Sequence, residues 1–157
     1  MANYYNEISM MMETVMHKIE IMNRSGLRFG KKKEKFNFLE ILILRSVKDS
    51  PRILISELVN KIGVDRGVVT TCINKLCVNG YMGKEKSEID GRRFHMSMTE
   101  KGEALYEAIQ AKEDDLLKFI LDEITINEAK AILKFLSKIN QTTVEKFELD
   151  KKNIDTK

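Results

Sequence analysis

Between Ile55 and Lys101 the apolar residues keep a helical period through two short segments, break at Gly63-Val64, and change to a period of two after Asn79-Gly80. Two helices joined by a three- or four-residue turn and followed at once by a hairpin form a helix-turn-helix with an attached wing. In the first segment Ser56 is the expected cap, Leu58, Val59 and Ile62 are the apolar positions, and Gly63 is the stop. The second opens on Asp65, a good N-cap, and places Val69, Cys72, Ile73 and Leu76 on one apolar stripe. The opposite face then carries Gly67, Thr70, Thr71 and Asn74, flanked by Arg66, Val68 and Lys75. These small and polar groups can approach a base edge or a phosphate without obstruction, as a helix docked in a DNA major groove must.

Two half-buried strands are expected over Tyr81 to Lys86 and over Phe94 to Met98, where Phe94, Met96 and Met98 alternate with His95 and Ser97. Asp90-Gly91 between them is a tight-turn signal, since both residue types tolerate positive φ. The tip then carries Arg92 and Arg93, with Lys84 and Lys86 at its base. Arginine at such a tip suits a minor groove, where narrow walls concentrate negative potential, and Asp90 is placed to hold one guanidinium.

At these residues the chain resembles a known family. Gly63-Val64-Asp65-Arg66, Val69-Thr70-Thr71, Asn74-Lys75-Leu76, Gly80-Tyr81, Asp90-Gly91-Arg92-Arg93 and Met98-Thr99-Glu100-Lys101-Gly102 follow in the order of the winged helix-turn-helix core of MarR-type transcriptional regulators. The likeness covers about a third of the chain. Its most specific part is the Asp-x-Arg wing followed by the Thr-Glu-Lys-Gly start of the next helix. The resemblance implies a homodimer with one wing arginine per subunit in the minor groove, here Arg92, partnered by Asp90. Many relatives carry a Ser or Thr and then an Arg in the recognition helix; Val68 and Thr71 stand there in this chain, so its operator is its own.

A chain of 157 residues, 43% hydrophobic and 32% charged, suits one domain with a real core. The formal net charge of +3 does not by itself argue for nucleic acid; the distribution does more. Arg24, Arg28, Lys31, Lys32, Lys33 and Lys35 form one basic run, broken by Glu34, that reads as a solvated connector. Lys84, Lys86, Arg92 and Arg93 form another on the docking face, where phosphate contact is expected. Glu7, Glu13, His17 and Lys18 interrupt the apolar positions near the start, so neither a signal peptide nor a membrane span is expected, and the compartment implied is the cytoplasm.

Cys72 and Cys77 lack the spacing of a zinc pair. Cys72 reads as a small buried hydrophobe, with thiol-based redox sensing through either cysteine as the alternative. His17 and His95 stand apart from any cysteine cluster, and no metal is expected.

Helices surround the reading head. From Tyr4 to Asn23, Ile8, Met12, Val15, Ile19 and Met22 alternate steps of four and three, as in a coiled-coil seam, and Met10, Met11 and Met16 widen it. Phe36 to Lys48 is apolar nearly all round, as befits a central buried helix, and Asp49-Ser50-Pro51 ends it. Thr99 caps a helix to about Glu123 with Leu105, Ile109, Leu116, Phe119 and Ile120 inward. Thr125 and Glu128 form a capping box for another, carrying Ala129, Ile132, Leu133, Leu136, Ile139 and Phe147. This apolar surface exceeds what one small winged domain covers, and a twofold dimer would bury the surplus.

The fold expected is therefore mainly α with a small β-hairpin, as one MarR-like domain over 1–157. Residues 1–35 supply an N-terminal dimerisation helix and basic connector, 36–98 the winged helix-turn-helix, 99–148 the C-terminal dimerisation helices, and 149–157 a frayed tail. An enzyme is not expected. There is no Gly-rich phosphate loop and no nucleophile with a His partner, and the Asp114-Asp115 and Asp122-Glu123 pairs read as solvated helix faces. The function expected is a dimeric, sequence-specific DNA-binding regulator, a repressor on a pseudo-palindromic operator; a winged-helix module for protein contacts is the alternative. The resemblance further implies a small aromatic or phenolic effector, for which Met12, Met16, Arg24 and Arg28 are the candidate lining.

Overall fold

In the computed structural model, which describes residues 2–29 and 34–142, the expected helices form in the expected order and three short strands join them. Along the chain these are α1 (Ala2–Ser25), β1 (Leu27–Phe29), β2 (Glu34–Phe36), α2 (Phe38–Asp49), β3 (Ile53–Leu54), α3 (Ile55–Ile62), α4 (Arg66–Val78), β4 (Met82–Lys86), β5 (Phe94–Met98), α5 (Glu100–Leu121) and α6 (Ile126–Asn140). The chain divides into two units, Met1–Lys112 and Glu113–Lys157, with the boundary inside α5. Lys31, Lys32, Lys33, Phe147 and the tail from 149 lie outside the described residues.

Phe36 does not start the central helix. It closes β2, whose antiparallel pairing with β1 sets Leu27 opposite Phe36, and its ring is buried against Phe29 and edge-on to Tyr81 at a centroid distance of 5.4 Å. Asn37 then caps α2. Its Oδ1 accepts the Glu40 N–H at 2.8 Å while Glu40 Oε2 accepts the Asn37 N–H at 3.0 Å, a reciprocal box that satisfies two otherwise orphan amides. The Asn23 side chain accepts the Phe38 N–H at 3.1 Å and so ties the end of α1 to the start of α2. Ile41, Ile43, Leu44 and Val47 of α2 are buried, whereas Leu42 is exposed, so one apolar position is wet on a helix expected from sequence to be apolar nearly all round.

The core of the first unit gathers α2, α3, α4 and the sheet. Ile43, Leu44, Leu58, Ile73, Leu76 and Met96 are at most 1% exposed. Truncating a leucine in such a setting costs about 2 to 5 kcal/mol, the lost transfer energy plus that of the cavity left behind. The wing sheet is antiparallel in the order β3-β5-β4, with Met82 opposite Met98 and Lys86 opposite Phe94; the added strand β3 sets Ile53 opposite Met96. Gly63 adopts φ 69° at the end of α3, the left-handed conformation that lets the chain turn directly into α4.

The start of α5 shows why Thr99, Lys101 and Gly102 occur together. Thr99 Oγ1 accepts the Gly102 N–H at 3.1 Å and donates to the Gly80 carbonyl at 2.7 Å. Lys101 donates to the Asn79 carbonyl at 2.8 Å with its ammonium 4.1 Å from the Tyr81 ring centroid. A Cβ on Gly102 would collide with the Tyr81 carbonyl oxygen. The segment therefore clamps the end of the recognition helix to the base of the wing.

Leu105 and Ile109 of α5 are buried as expected, but Leu116, Phe119 and Ile120 are exposed in one chain. Taken by itself, the second unit holds the capping box expected at α6: Thr125 N–H donates to Glu128 Oε2 at 2.8 Å and Glu128 N–H to Thr125 Oγ1 at 3.4 Å. No residue of α6 is buried; Ile132, Leu133, Leu136 and Ile139 all face out. The same holds along α1 for Ile8, Met12, Val15, Ile19 and Met22. No helix among the described residues is long and apolar enough to cross a membrane.

Candidate nucleic-acid interface

Asp65 starts α4 as expected, its Oδ1 accepting the N–H groups of Gly67 at 2.8 Å and Val68 at 3.2 Å. With Val69, Cys72, Ile73 and Leu76 buried, the outward face is Gly67, Thr71, Asn74 and Val78, all exposed. Arg66, Val68 and Lys75 are exposed beside it. Thr70 is only half-buried and sits on the flank, because it lies about 100° around the helix from the core position Val69. The Thr71 hydroxyl donates back to the Gly67 carbonyl at 2.9 Å, so its proton is engaged within the helix and its oxygen is left to accept.

Two expectations on the helix pair change. Lys75 is not a free groove contact: its Nζ donates to Glu40 Oε1 at 2.6 Å, and Glu40 is 1% exposed. A carboxylate buried this deeply needs its counter-charge, and the lysine supplies it while anchoring the recognition helix to α2. Ser56 is not the cap of α3 either. Leu54 holds the cap position, the Glu57 carboxylate accepts its N–H at 3.1 Å, and exposed Ser56 stands in the first turn.

The wing tip is a backbone turn without positive φ at Asp90 or Gly91. Arg93 N–H donates to the Asp90 carbonyl at 2.9 Å, Asp90 Oδ1 accepts the Arg92 N–H at 3.0 Å, and Ser87 N–H closes the loop onto the Arg93 carbonyl at 2.9 Å. Asp90 thus grips the backbone of Arg92 rather than its guanidinium, an Asx-type turn that leaves the Arg92 side chain exposed. Arg66, Arg92 and Arg93 meet Leu54, Ile55, Ser56 and Phe94 around a cleft of about 240 Å³ between the tip end of the wing and the starts of α3 and α4. Three arginines lining one cleft make an anion-attracting surface. Lys84 reaches across from β4, its Nζ donating to Asn74 Oδ1 at 2.6 Å, and Lys86 is exposed on the same strand.

Behind this surface, Tyr81 is buried and donates its hydroxyl to Glu34 of β2. Burial, with the neighbouring carboxylate second, pushes its pKa up to about 12. Burial likewise raises both cysteine thiols, Cys72 with added opposition from the Glu40 charge. Both are therefore poorer thiolates than a free cysteine. His95 Nδ1 lies 2.6 Å from the Arg52 carbonyl, and no cluster of metal-ligating groups occurs among the described residues. Met12 and Met16 are exposed on α1, Arg24 Nε donates to Glu20 at 2.6 Å, and Arg28 is exposed on β1; none of the four lines the cleft.

The model of a protein family described as Transcriptional regulator SarA/Rot matches residues 27–109, just over half of the chain. The HTH-type transcriptional regulator SarZ of Staphylococcus epidermidis is 25% identical over 107 residues, covering 67% of this chain and 72% of its own. Among solved structures, FabT of Streptococcus pneumoniae, crystallised in complex with DNA, superposes with a TM-score of 0.75 at 23% identity over 87% of this chain and 95% of its own. A MarR protein from Peptoclostridium difficile does so with a TM-score of 0.66 at 25% identity, over 88% and 86% of the two chains.

Proposed function

Since the chain belongs to the SarA/Rot family of transcriptional regulators, we propose that it acts as a homodimer that reads a pseudo-palindromic operator and represses the promoter beneath it. The observation that carries this reading is that Arg92 and Arg93 of the wing line one cleft with Arg66 at the start of α4, the helix that turns Gly67, Thr71 and Asn74 outward. Cationic groups next to a face of Gly67, Thr71 and Asn74 offer phosphate anchoring and base access together. In the FabT structure a protein of this fold is bound to DNA. The exposed apolar stripes of α1 and α6 supply the surface a dimer would bury, and two heads held about one helical turn of DNA apart would read two half-sites. Binding to a duplex pool should fall steeply as salt rises, since each phosphate contact releases counterions. Binding that is flat between ~50 and ~200 mM salt, the range over which such contacts lose most of their strength, would overturn this reading in favour of a protein-contact module.

Release by a small aromatic or phenolic anion is part of the same proposal. Such an anion must bind one spacing of the two heads better than the other. Met12, Met16, Arg24 and Arg28 are its candidate lining, to be completed by a second subunit, and isothermal titration with a panel of phenolic acids, with and without operator, tests it. Thiol sensing through Cys72 or Cys77 is disfavoured by the burial that raises both thiols.

A further inference from the structure

The outward face of α4 carries few hydrogen-bond donors. Gly67 has no side chain, Val78 is apolar, the Thr71 hydroxyl proton is held by the Gly67 carbonyl, and Lys75, on the flank, directs its ammonium at the buried Glu40 carboxylate of α2. The side-chain N–H donors left at the centre of this face are those of Asn74 and of Lys84, which reaches it from the wing. The two are joined: Lys84 Nζ lies 2.6 Å from Asn74 Oδ1, both residues are exposed, and they come from different elements. An ammonium only donates, so the atom it meets must be the amide oxygen, and the orientation of the amide follows without choice. Its NH2 group is thereby left free.

We infer that Asn74 and Lys84 form one composite reading group of donor character, which selects guanine in the major groove; the inference rests on the operator-reading function proposed above. A free asparagine reads adenine by accepting from N6 and donating to N7. Here the accepting side is occupied by a cation that would face the adenine N6 amino group, donor against donor. Guanine presents two acceptors, O6 and N7, which suit an ammonium and an amide NH2 side by side. Cytosine presents a donor and is disfavoured for the same reason as adenine. The wing strand thus takes part in base choice through a residue of the recognition helix, in addition to any contact made by its arginine tip.

Selection of bound duplexes from a random pool by the full-length chain, by Lys84→Met and by Asn74→Ala at one salt concentration tests this. Both substitutions lie on exposed positions, and circular dichroism checks that the fold is kept. The wild-type half-site should contain a guanine preferred over adenine by on the order of tenfold, the size of a good paired contact. In Lys84→Met the preference at that position should move toward adenine, because the amide oxygen is released; in Asn74→Ala it should flatten. If the wild type selects a defined half-site and Lys84→Met selects the same one with uniformly weaker binding, Lys84 is a phosphate contact and the composite group is overturned while the regulatory reading stands. If the wild type enriches no sequence, the operator-reading function falls with it.

Discussion

Arg92 owes its exposure to a turn built by its neighbour. Asp90 accepts the Arg92 N–H at 3.0 Å and its carbonyl takes the Arg93 N–H, so the tip is held by the backbone while the guanidinium points to solvent. Arg92→Ala should therefore cost about 1 to 3 kcal/mol of operator binding, the worth of one well-placed arginine contact, with thermal unfolding unchanged. Asp90→Asn keeps the side-chain oxygen that accepts the amide, so it should bind DNA at least as well as the wild type, while Asp90→Ala should weaken binding by loosening the turn. A titration at matched salt in which Asn and Ala at this position lose affinity equally would show that the charge matters and not the turn. Val68 and Asn74 are legible in sequence as outward-facing because period alone fixes the face of a helix. Lys75 is not. It pairs with Glu40, thirty-five residues away, and no local pattern announces a buried carboxylate on α2. Tyr81 carries a further test at this scale. Its pKa is raised from 10 to about 12, so the stability it contributes is complete below pH 10 and is lost as pH rises toward 12. Denaturant melts of the wild type should lose stability over that window, and Tyr81→Phe should lose less there.

The elements follow from sequence wherever period and cap agree, and escape it where a segment is too short to show a period. Asp65 and the Thr125–Glu128 box stand out because an acceptor precedes an apolar stripe at the right offset, and both make the expected bonds. The β1–β2 ribbon and β3 have three and two residues per strand, too few for alternation to register. Phe36 is accordingly drawn, in sequence, into the helix that follows. At the start of α3 the capping signal is real but belongs to another residue, since Glu57 caps from inside the helix and Ser56 does not cap from outside. Asp65→Ala should lower the stability of the domain by about 1 kcal/mol, the usual worth of an N-cap, and should slacken the first turn of the recognition helix. Gly102→Ala should cost more, about 1 to 3 kcal/mol, because its methyl would meet backbone at Tyr81 and α5 must shift to admit it. Urea melts of the two variants order these effects; a Gly102→Ala chain as stable as the wild type would mean that the start of α5 moves freely against the wing.

For the whole molecule, the question is what covers the apolar stripes that α1 and α6 each expose. Leu133 is 64% exposed and Phe119 81% exposed in one chain, and α1 turns Ile8, Val15 and Ile19 to solvent as well. Stripes of this length on separate helices far exceed the scattered apolar residues a soluble monomer shows. On the homodimer proposed above, a second copy covers these stripes and raises affinity without any new base contact. In such a dimer, with one reading head seated, the other would bind at a high effective concentration, a gain of about 10² to 10⁴ over a single head where the geometry fits. Leu133→Glu places a charge where the free chain is already wet, so the winged unit should fold as before while the dimer is destabilised. Sedimentation should then show a dimer for the wild type and a shift toward monomer for the variant, with operator affinity falling by at least tenfold and the salt dependence of what remains becoming shallower, as fewer phosphates are engaged per complex. A wild-type chain that sediments as a monomer at micromolar concentration, and a Leu133→Glu chain that binds operator as tightly as it does, would remove the dimer from the mechanism and leave each reading head to act alone.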